Sequence, residues 1–294
     1  MTDPGETITR LLAGHGYRAE SVRPLGSGLD HTAFQVDGDL VVRVSAHADP
    51  AERALEVDRE TRLLHRVAAI SPLPVPVPLY TDPEGGWLAY RKLPGEPLLG
   101  LPEPGTFATT VGTALGRLLA VLHGQQPEAW AGLVEDDDVP PDAWLREARE
   151  TYADVAASVP PSQRVAVEAF LDAAPPPATT RRVLSHNDLG IEHVLVDAAT
   201  REVTGVIDWS DAALVDPACD LGRMLRDLGP DGLSAALTAL PPGDGGDNDD
   251  LRTRAAFYAG CSALEDLAYG VETGRGAYVR NSLAALARLF PPRR

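Results

Sequence analysis

Ser185-His186-Asn187-Asp188-Leu189-Gly190-Ile191-Glu192-His193-Val194-Leu195-Val196, followed by Gly205-Val206-Ile207-Asp208-Trp209-Ser210-Asp211, is the stretch on which the reading of this 294-residue chain turns. A polar loop lies between two short apolar runs, Arg182–Ser185 and His193–Val196, and a third run, Val203–Ile207, stops on Asp208. Such runs predict short buried strands. Asp188, His193 and Asp208 then sit near one another at strand ends. Buried strands rarely end in several ionisable groups without partners, because desolvating a charge is costly. A metal ion or a charged substrate would supply those partners.

Working outward toward the N-terminus, the chain reads as β-rich. A short helix is expected over 2–13, then strands at Thr32–Val36 and Leu40–Val44 joined by an Asp37-Gly38 turn, with Gly26-Ser27-Gly28 as a loop before them. Asp49-Pro50-Ala51-Glu52 combines an N-cap, proline at the first helical position and an acidic residue in the first turn, so a helix should run from there to about Ala69. Proline recurs at every second position over Ser71–Pro78, which enforces extended chain, polyproline II or an edge strand. Trp87–Arg91 reads as another strand, and Lys92-Leu93-Pro94-Gly95 breaks regular structure. Beyond it the pattern is mostly helical: Phe107–His123, Pro141–Ala157, Gln163–Ala174, Pro217–Leu228, Asp231–Leu240, Leu251–Gly270 and Ala277–Leu289. The acidic stretches Glu135–Asp138 and Asp244–Asp250 read as solvated loops. The expected organisation is an N-terminal lobe over 1–91, a hinge over 92–96 and a helical C-terminal lobe over 97–294. A cleft between such lobes is a natural ligand site.

Composition limits the partners. Lys+Arg number 26 against 43 Asp+Glu, a net charge of −17. Residues 1–95 carry 13 acidic and 10 basic side chains, the remainder 30 and 16, so the acidity belongs to the C-terminal two-thirds. That surface repels nucleic-acid phosphate and anionic lipid and suits a cationic small molecule or a divalent metal. Neither a nucleic-acid nor a membrane partner is expected. Cys219 and Cys261 make neither a disulfide framework nor a zinc site. With no basic leader and no run of membrane-spanning length, the expectation is a soluble cytoplasmic protein. Lys92 is the one lysine, so chemistry that usually calls on lysine falls to arginine here.

His186-x-Asp188 with His193 five residues beyond Asp188, followed by Ile207-Asp208-Trp209, resembles the catalytic core of the aminoglycoside phosphotransferase family. Gly28-Leu29-Asp30, His193 where most members carry Asn, and Ile207-Asp208-Trp209-Ser210-Asp211-Ala212 are most similar to its macrolide phosphotransferase branch. The resemblance extends from the N-terminal strands to the final helices. It implies an α+β, bilobal, protein-kinase-like fold, with a small antiparallel sheet and one long helix in the N-lobe and a mostly helical C-lobe.

By that resemblance Asp188 is the catalytic residue that takes the acceptor hydroxyl's proton. Asp208 is a Mg²⁺ ligand, and His193 occupies the second ligand position, binding directly, through water, or only ordering the loop. His186 fixes the loop by hydrogen bonds; Asp216 and Asp220 brace it. Arg43 takes the place of the phosphate-holding lysine, with Glu60 as its partner and Glu56 as the alternative; otherwise the pair is a surface ion pair of little worth. Gly26, Ser27 and Gly28 would offer backbone N–H groups to phosphate, and Ala89, Tyr90 and Arg91 would face the base of ATP or GTP. Asp211, Glu265, Asp266 and Tyr269 are candidates for the acceptor pocket.

The implied activity is phosphorylation of a hydroxyl on a small molecule, first an amine-bearing antibiotic, macrolide or aminoglycoside. A metabolic kinase of an amino alcohol or sugar, or a non-catalytic nucleotide- or drug-binding module, are the alternatives. Asp216 follows only eight positions after Asp208, too few for the regulated activation segment of a protein kinase.

Overall fold

A computed structural model describes residues 4–27, 31–241 and 248–291. The chain divides into two compact units, Met1–Pro94 and Gly95–Arg294.

The first unit is built on five antiparallel strands. Helix α1 (Pro4–Gly14) precedes β1 (Val22–Ser27), β2 (His31–Val36) and β3 (Leu40–Ser45); α2 (Pro50–Ile70) then leads to β4 (Pro78–Asp82) and β5 (Trp87–Arg91). The strand order is β1-β2-β3-β5-β4. Alternation along β3 and β5 explains why both strands read as continuous apolar runs. Leu40, Val42, Trp87 and Ala89 pack with Ile8 and Leu12 of α1. Val41, Leu88 and Tyr90 turn to the other face and pack with Val57 of α2. A sheet covered on both faces needs apolar residues at both parities. Arg43 shares the parity of Val41, which directs it to the α2 side. Asp49 caps α2 as expected, its carboxylate accepting from the Ala51 N–H at 2.7 Å.

One expectation changes here. Gly26 and Ser27 belong to β1, paired with Ala33 and Thr32 beyond a bulge, rather than to a loop; Gly28 lies outside the described residues, as do Leu29 and Asp30. The extended chain expected from the alternating prolines leads, as one of its two alternatives allowed, into an edge strand, β4, a position that tolerates a missing N–H.

In the second unit β6 (Glu96–Pro97) is followed by α3 (Ala108–His123), β7 (Glu135–Asp136), α4 (Pro141–Val155) and α5 (Pro161–Asp172). Then come β8 (Val183–Ser185), β9 (Val194–Val196), β10 (Val203–Val206), β11 (Ala213–Val215) and the helices α6 (Ala218–Ala239), α7 (Asn248–Thr273) and α8 (Gly276–Leu289). Two three-stranded sheets, β10-β9-β6 and β7-β11-β8, hold the loop quoted above between β8 and β9. The acidic stretch at 135–138 is thus not all loop, since Glu135 and Asp136 pair with β11. Asn248–Asp250 open α7 rather than extending a loop, and 242–247 lie outside the described residues. α6 is two helical segments joined at Gly229-Pro230, where Gly229 adopts φ 73°.

The core of this unit is the contact of α3 with α6 and of α6 with α7. Val111, Leu115, Leu118, Leu119 and Leu122 form the buried stripe of α3. Gly116 lets the backbones meet: a Cβ there would lie 2.5 Å from the Ala236 carbonyl oxygen. By length and composition Pro104–His123 could cross a membrane, contrary to the expectation that no such run exists; half of its most apolar window is buried in the protein.

Candidate active site

The β8–β9 loop is held by backbone hydrogen bonds to buried side chains. Asn187 sits in the left-handed region, φ 66°, so the chain reverses just before Asp188. Asp220, near the start of α6, accepts from the N–H groups of His186 (2.9 Å), Asn187 (3.3 Å) and Leu189 (3.3 Å). Asp227, two turns later, accepts from the Ile191 N–H at 3.1 Å. Asn187 donates its side-chain amide to Asp137 at 3.0 Å. His186 is fully buried, and burial pushes its imidazole below the ordinary histidine range. Its partners agree: Nε2 donates to the Ile207 carbonyl (3.0 Å) while Nδ1 accepts from the Asp188 N–H (3.3 Å), which is the neutral ring in one tautomer. The Trp209 ring, itself buried, packs on His186 at 4.6 Å.

This frame brings together the three residues expected at strand ends. His193 Nδ1 donates to the Asp188 carbonyl at 2.9 Å and lies 3.4 Å from its carboxylate; His193 Nε2 lies 3.7 Å from the Asp208 carboxylate. Asp208 follows β10 with φ 64°, and Ser210 donates to it at 3.0 Å. Burial works against charge on Asp188, yet Arg223, His193 and His186 outweigh it and hold the carboxyl below its ordinary range. Burial likewise disfavours a charged His193, but Glu192, Asp188 and Asp208 around it raise its affinity for a proton.

A cavity of about 440 Å³ opens beside these groups. Asp188, Glu192, His193, Asp208 and Arg223 line one side of it. Glu265, Asp266, Tyr269 and Glu272 of α7 and Tyr278 of α8 line another. Tyr269 and Tyr278 meet edge to face at 4.9 Å, and Arg275 lies over the Tyr269 ring at 5.2 Å. Of the candidates for an acceptor pocket, Glu265, Asp266 and Tyr269 therefore share this cavity with Asp188; Asp211 is exposed and is not among the lining residues. Below the cavity Arg226 is buried against Asp227 (2.7 Å) and Asp266 (2.9 Å), and Glu192 lies 3.9 Å away. Burial pushes the Asp266 and Glu192 carboxyls up despite that arginine.

Glu192 and Arg223 line the same cavity as Asp188 and are not among the residues expected from the sequence. Glu192 lies in the same loop, beside His193, and nothing in its spacing marks it. Arg223 follows Asp220 at i+3, so the α6 face that turns Asp220 to the loop also turns Arg223 to it; that spacing was the available signal. Asp188, Glu192 and His193 also offer ligand atoms within 4.8 Å of one another.

In the first unit Arg43 pairs with Glu60 at 3.0 Å and with His31 Nδ1 at 2.8 Å. Arg43 and Glu60 are 5% and 9% exposed, so this is no surface ion pair. Glu56, the alternative, instead meets Ser45 and His47. Ala89 and Tyr90 are flanked by strands on both sides, whereas Arg91 at the end of β5 is paired on one side.

The model of the phosphotransferase enzyme family matches residues 21–258. No curated protein matches the chain. Among solved structures, the apoenzyme of the macrolide 2'-phosphotransferase MphH from Brachybacterium faecium is 28% identical, covering 98% of this chain and 99% of its own, with a TM-score of 0.63. APH(2")-IIia, solved with GDP and kanamycin, is 21% identical over 97% of each chain, with a TM-score of 0.69. A macrolide 2'-phosphotransferase type I is 24% identical over 96% of each, with a TM-score of 0.64. The kinase-like fold of those enzymes, an antiparallel sheet followed by a mostly helical region, is the fold of this chain.

Proposed function

This chain belongs to the phosphotransferase enzyme family, and from that premise we propose that it transfers the terminal phosphoryl group of ATP or GTP to a hydroxyl of an amine-bearing antibiotic, a macrolide before an aminoglycoside. One observation carries the reading: Asp188 and Asp208 lie on either side of His193, at a cavity whose other walls are acidic and aromatic. Among the described residues, six acidic side chains line that cavity against one arginine, and burial raises the carboxyls of two of them, Glu192 and Asp266. Such a wall favours a cationic ligand, and tyrosine rings add faces on which an ammonium group can rest. The macrolide preference draws on the 28% identity to the macrolide 2'-phosphotransferase.

Asp188 is assigned the role of proton acceptor. The acceptor oxygen attacks the terminal phosphorus, the bond from that phosphorus to the bridging oxygen breaks, the nucleoside diphosphate departs, and Asp188 takes the hydroxyl proton. A carboxylate held below its ordinary range is unprotonated at neutral pH, as this role requires. His186, neutral and buried, keeps Asp188 in place through its backbone N–H.

The residues fit a divalent cation. His193 Nδ1 is committed to the Asp188 carbonyl, which leaves Nε2 toward the Asp208 carboxylate. Asp208 and His193 would hold Mg²⁺, which when bound neutralises charge on the nucleotide phosphates. In the first unit Arg43, fixed by Glu60, is the candidate for gripping phosphate oxygens, with a planar fork in place of a lysine point charge.

A panel of macrolides, aminoglycosides, amino alcohols and sugars, each incubated with Mg-ATP and with Mg-GTP, tests the reading by mass spectrometry of the products. Phosphorylation of an antibiotic is expected. A high kcat/KM for an amino alcohol or sugar with none for the drugs would replace it with a metabolic kinase.

A further inference from the structure

Among the described residues Arg223 is the arginine that lines the cavity, and the reaction as described above does not use it. Its Nε lies 3.3 Å from Asp188 Oδ1. Its Nη2 and Nε also donate to the carbonyl oxygen of Asn187, at 2.9 and 3.2 Å. The other oxygen of the Asp188 carboxylate faces His193 Nδ1 at 3.4 Å. Each oxygen therefore lies within ion-pair distance of a basic side chain, Arg223 on one side and His193, whose Nδ1 hydrogen goes to the Asp188 carbonyl, on the other. The side chain of Arg223 is 14% exposed against 30% for Asp188, so the arginine is the more deeply seated of the two.

The second contact gives the pair its direction. Asn187 is the left-handed residue at which the loop reverses. A guanidinium that holds the Asn187 carbonyl and the Asp188 carboxylate together ties the turn of the backbone to the orientation of the group it presents. An ammonium group, a single point on a flexible stem, matches one of these partners but lacks the fork to span both. One turn earlier on α6, Asp220 takes the N–H groups of the same loop. α6 thus offers the loop an acceptor and a donor from one face.

We propose that Arg223 is a positioning residue for phosphoryl transfer: by bridging the Asn187 carbonyl and the Asp188 carboxylate it aims that carboxylate at the acceptor hydroxyl. The inference rests on the assignment of Asp188 made above.

The test uses the full chain and four variants, R223M, R223K, D188N and the double variant D188N/R223M. Each is assayed for release of inorganic phosphate from Mg-ATP and Mg-GTP with water as acceptor, and for transfer to erythromycin and kanamycin. For R223M, kcat is expected to fall about 100-fold, the cost of a misaimed catalytic group. KM for nucleotide and acceptor should stay within about threefold, since the lost interaction acts on the reaction rather than on binding. R223K should recover about tenfold of the loss, because it restores the charge beside Asp188 without the bridge. In the D188N background, R223M should change the residual rate by less than about twofold, as expected of a residue acting through Asp188.

A parent-like kcat in both Arg223 variants, a loss confined to KM, or an equal cost in the D188N background would each overturn the inference while leaving the Asp188 assignment standing. Near-normal rates in D188N, or a parent without any phosphate transfer, would overturn both. Should R223M not fold, R223K and R223Q carry the same comparison.

Discussion

An imidazole at position 193 brings nitrogen to a place where the family resemblance expected an amide oxygen, and the consequence can be measured. Nitrogen ligands suit Mn²⁺ better than Mg²⁺, which prefers oxygen. His193→Asn keeps a side chain that can serve the cation and should retain activity within about tenfold of the parent. His193→Leu removes both the contact to the Asp188 carbonyl and the group facing Asp208, and should lose about 100-fold. The ratio of the Mn²⁺- to the Mg²⁺-supported rate should fall from the parent to His193→Asn. An unchanged ratio, read from initial rates with each metal, would mean that His193 orders the loop without touching the cation. Either way the side chain keeps its tie to the loop, through the 2.9 Å bond from Nδ1 to the Asp188 carbonyl.

Among the elements, α6 carries the most. Its first turn supplies Asp220, its next Arg223, and the following one Arg226 and Asp227, so the helix braces the whole β8–β9 loop. Asp220→Ala leaves three N–H groups of that loop without their acceptor. At about 1–3 kcal/mol for a buried unsatisfied donor, the variant should melt several degrees lower and lose turnover together with stability. Gly116→Leu attacks the second segment of the same helix through α3, since even a Cβ there would strike the Ala236 carbonyl. A destabilisation of about 1–3 kcal/mol, read by thermal melting, is expected with the chemistry intact once folded.

The elements also show what could be read in advance and what could not. The loop over 186–193 and the strand ending near Asp208 were legible because polar residues interrupt short apolar runs. The long helices were legible from their period. β7 and β11 were not, because two or three residues cannot display an alternation. The extended chain before β4 was legible from its prolines, which allow polyproline II or an edge strand and do not choose between them. Glu192 and Arg223 were hidden for another reason: their importance lies in what α6 and the loop place opposite them, and periodicity gives a residue's face but not what that face meets.

For the molecule as a whole, charge is the organising quantity. The net −17 is concentrated in residues 96–294, the part that carries the acidic cavity. If the acceptor is cationic, that field draws it in, and salt should weaken it. Raising ionic strength from roughly 0.05 to 0.5 M should raise the acceptor KM several-fold while leaving kcat nearly flat. A KM indifferent to salt would point to an uncharged acceptor.

If Asp188 takes the acceptor's proton during phosphoryl transfer, Asp188→Asn must lose turnover without losing nucleotide. One steady-state comparison of Asp188→Asn with the parent, alongside a nucleotide-binding titration, decides this. A kcat lower by about 10²- to 10⁴-fold with nucleotide affinity essentially unchanged is expected. Turnover near the parental rate would remove Asp188 from that role.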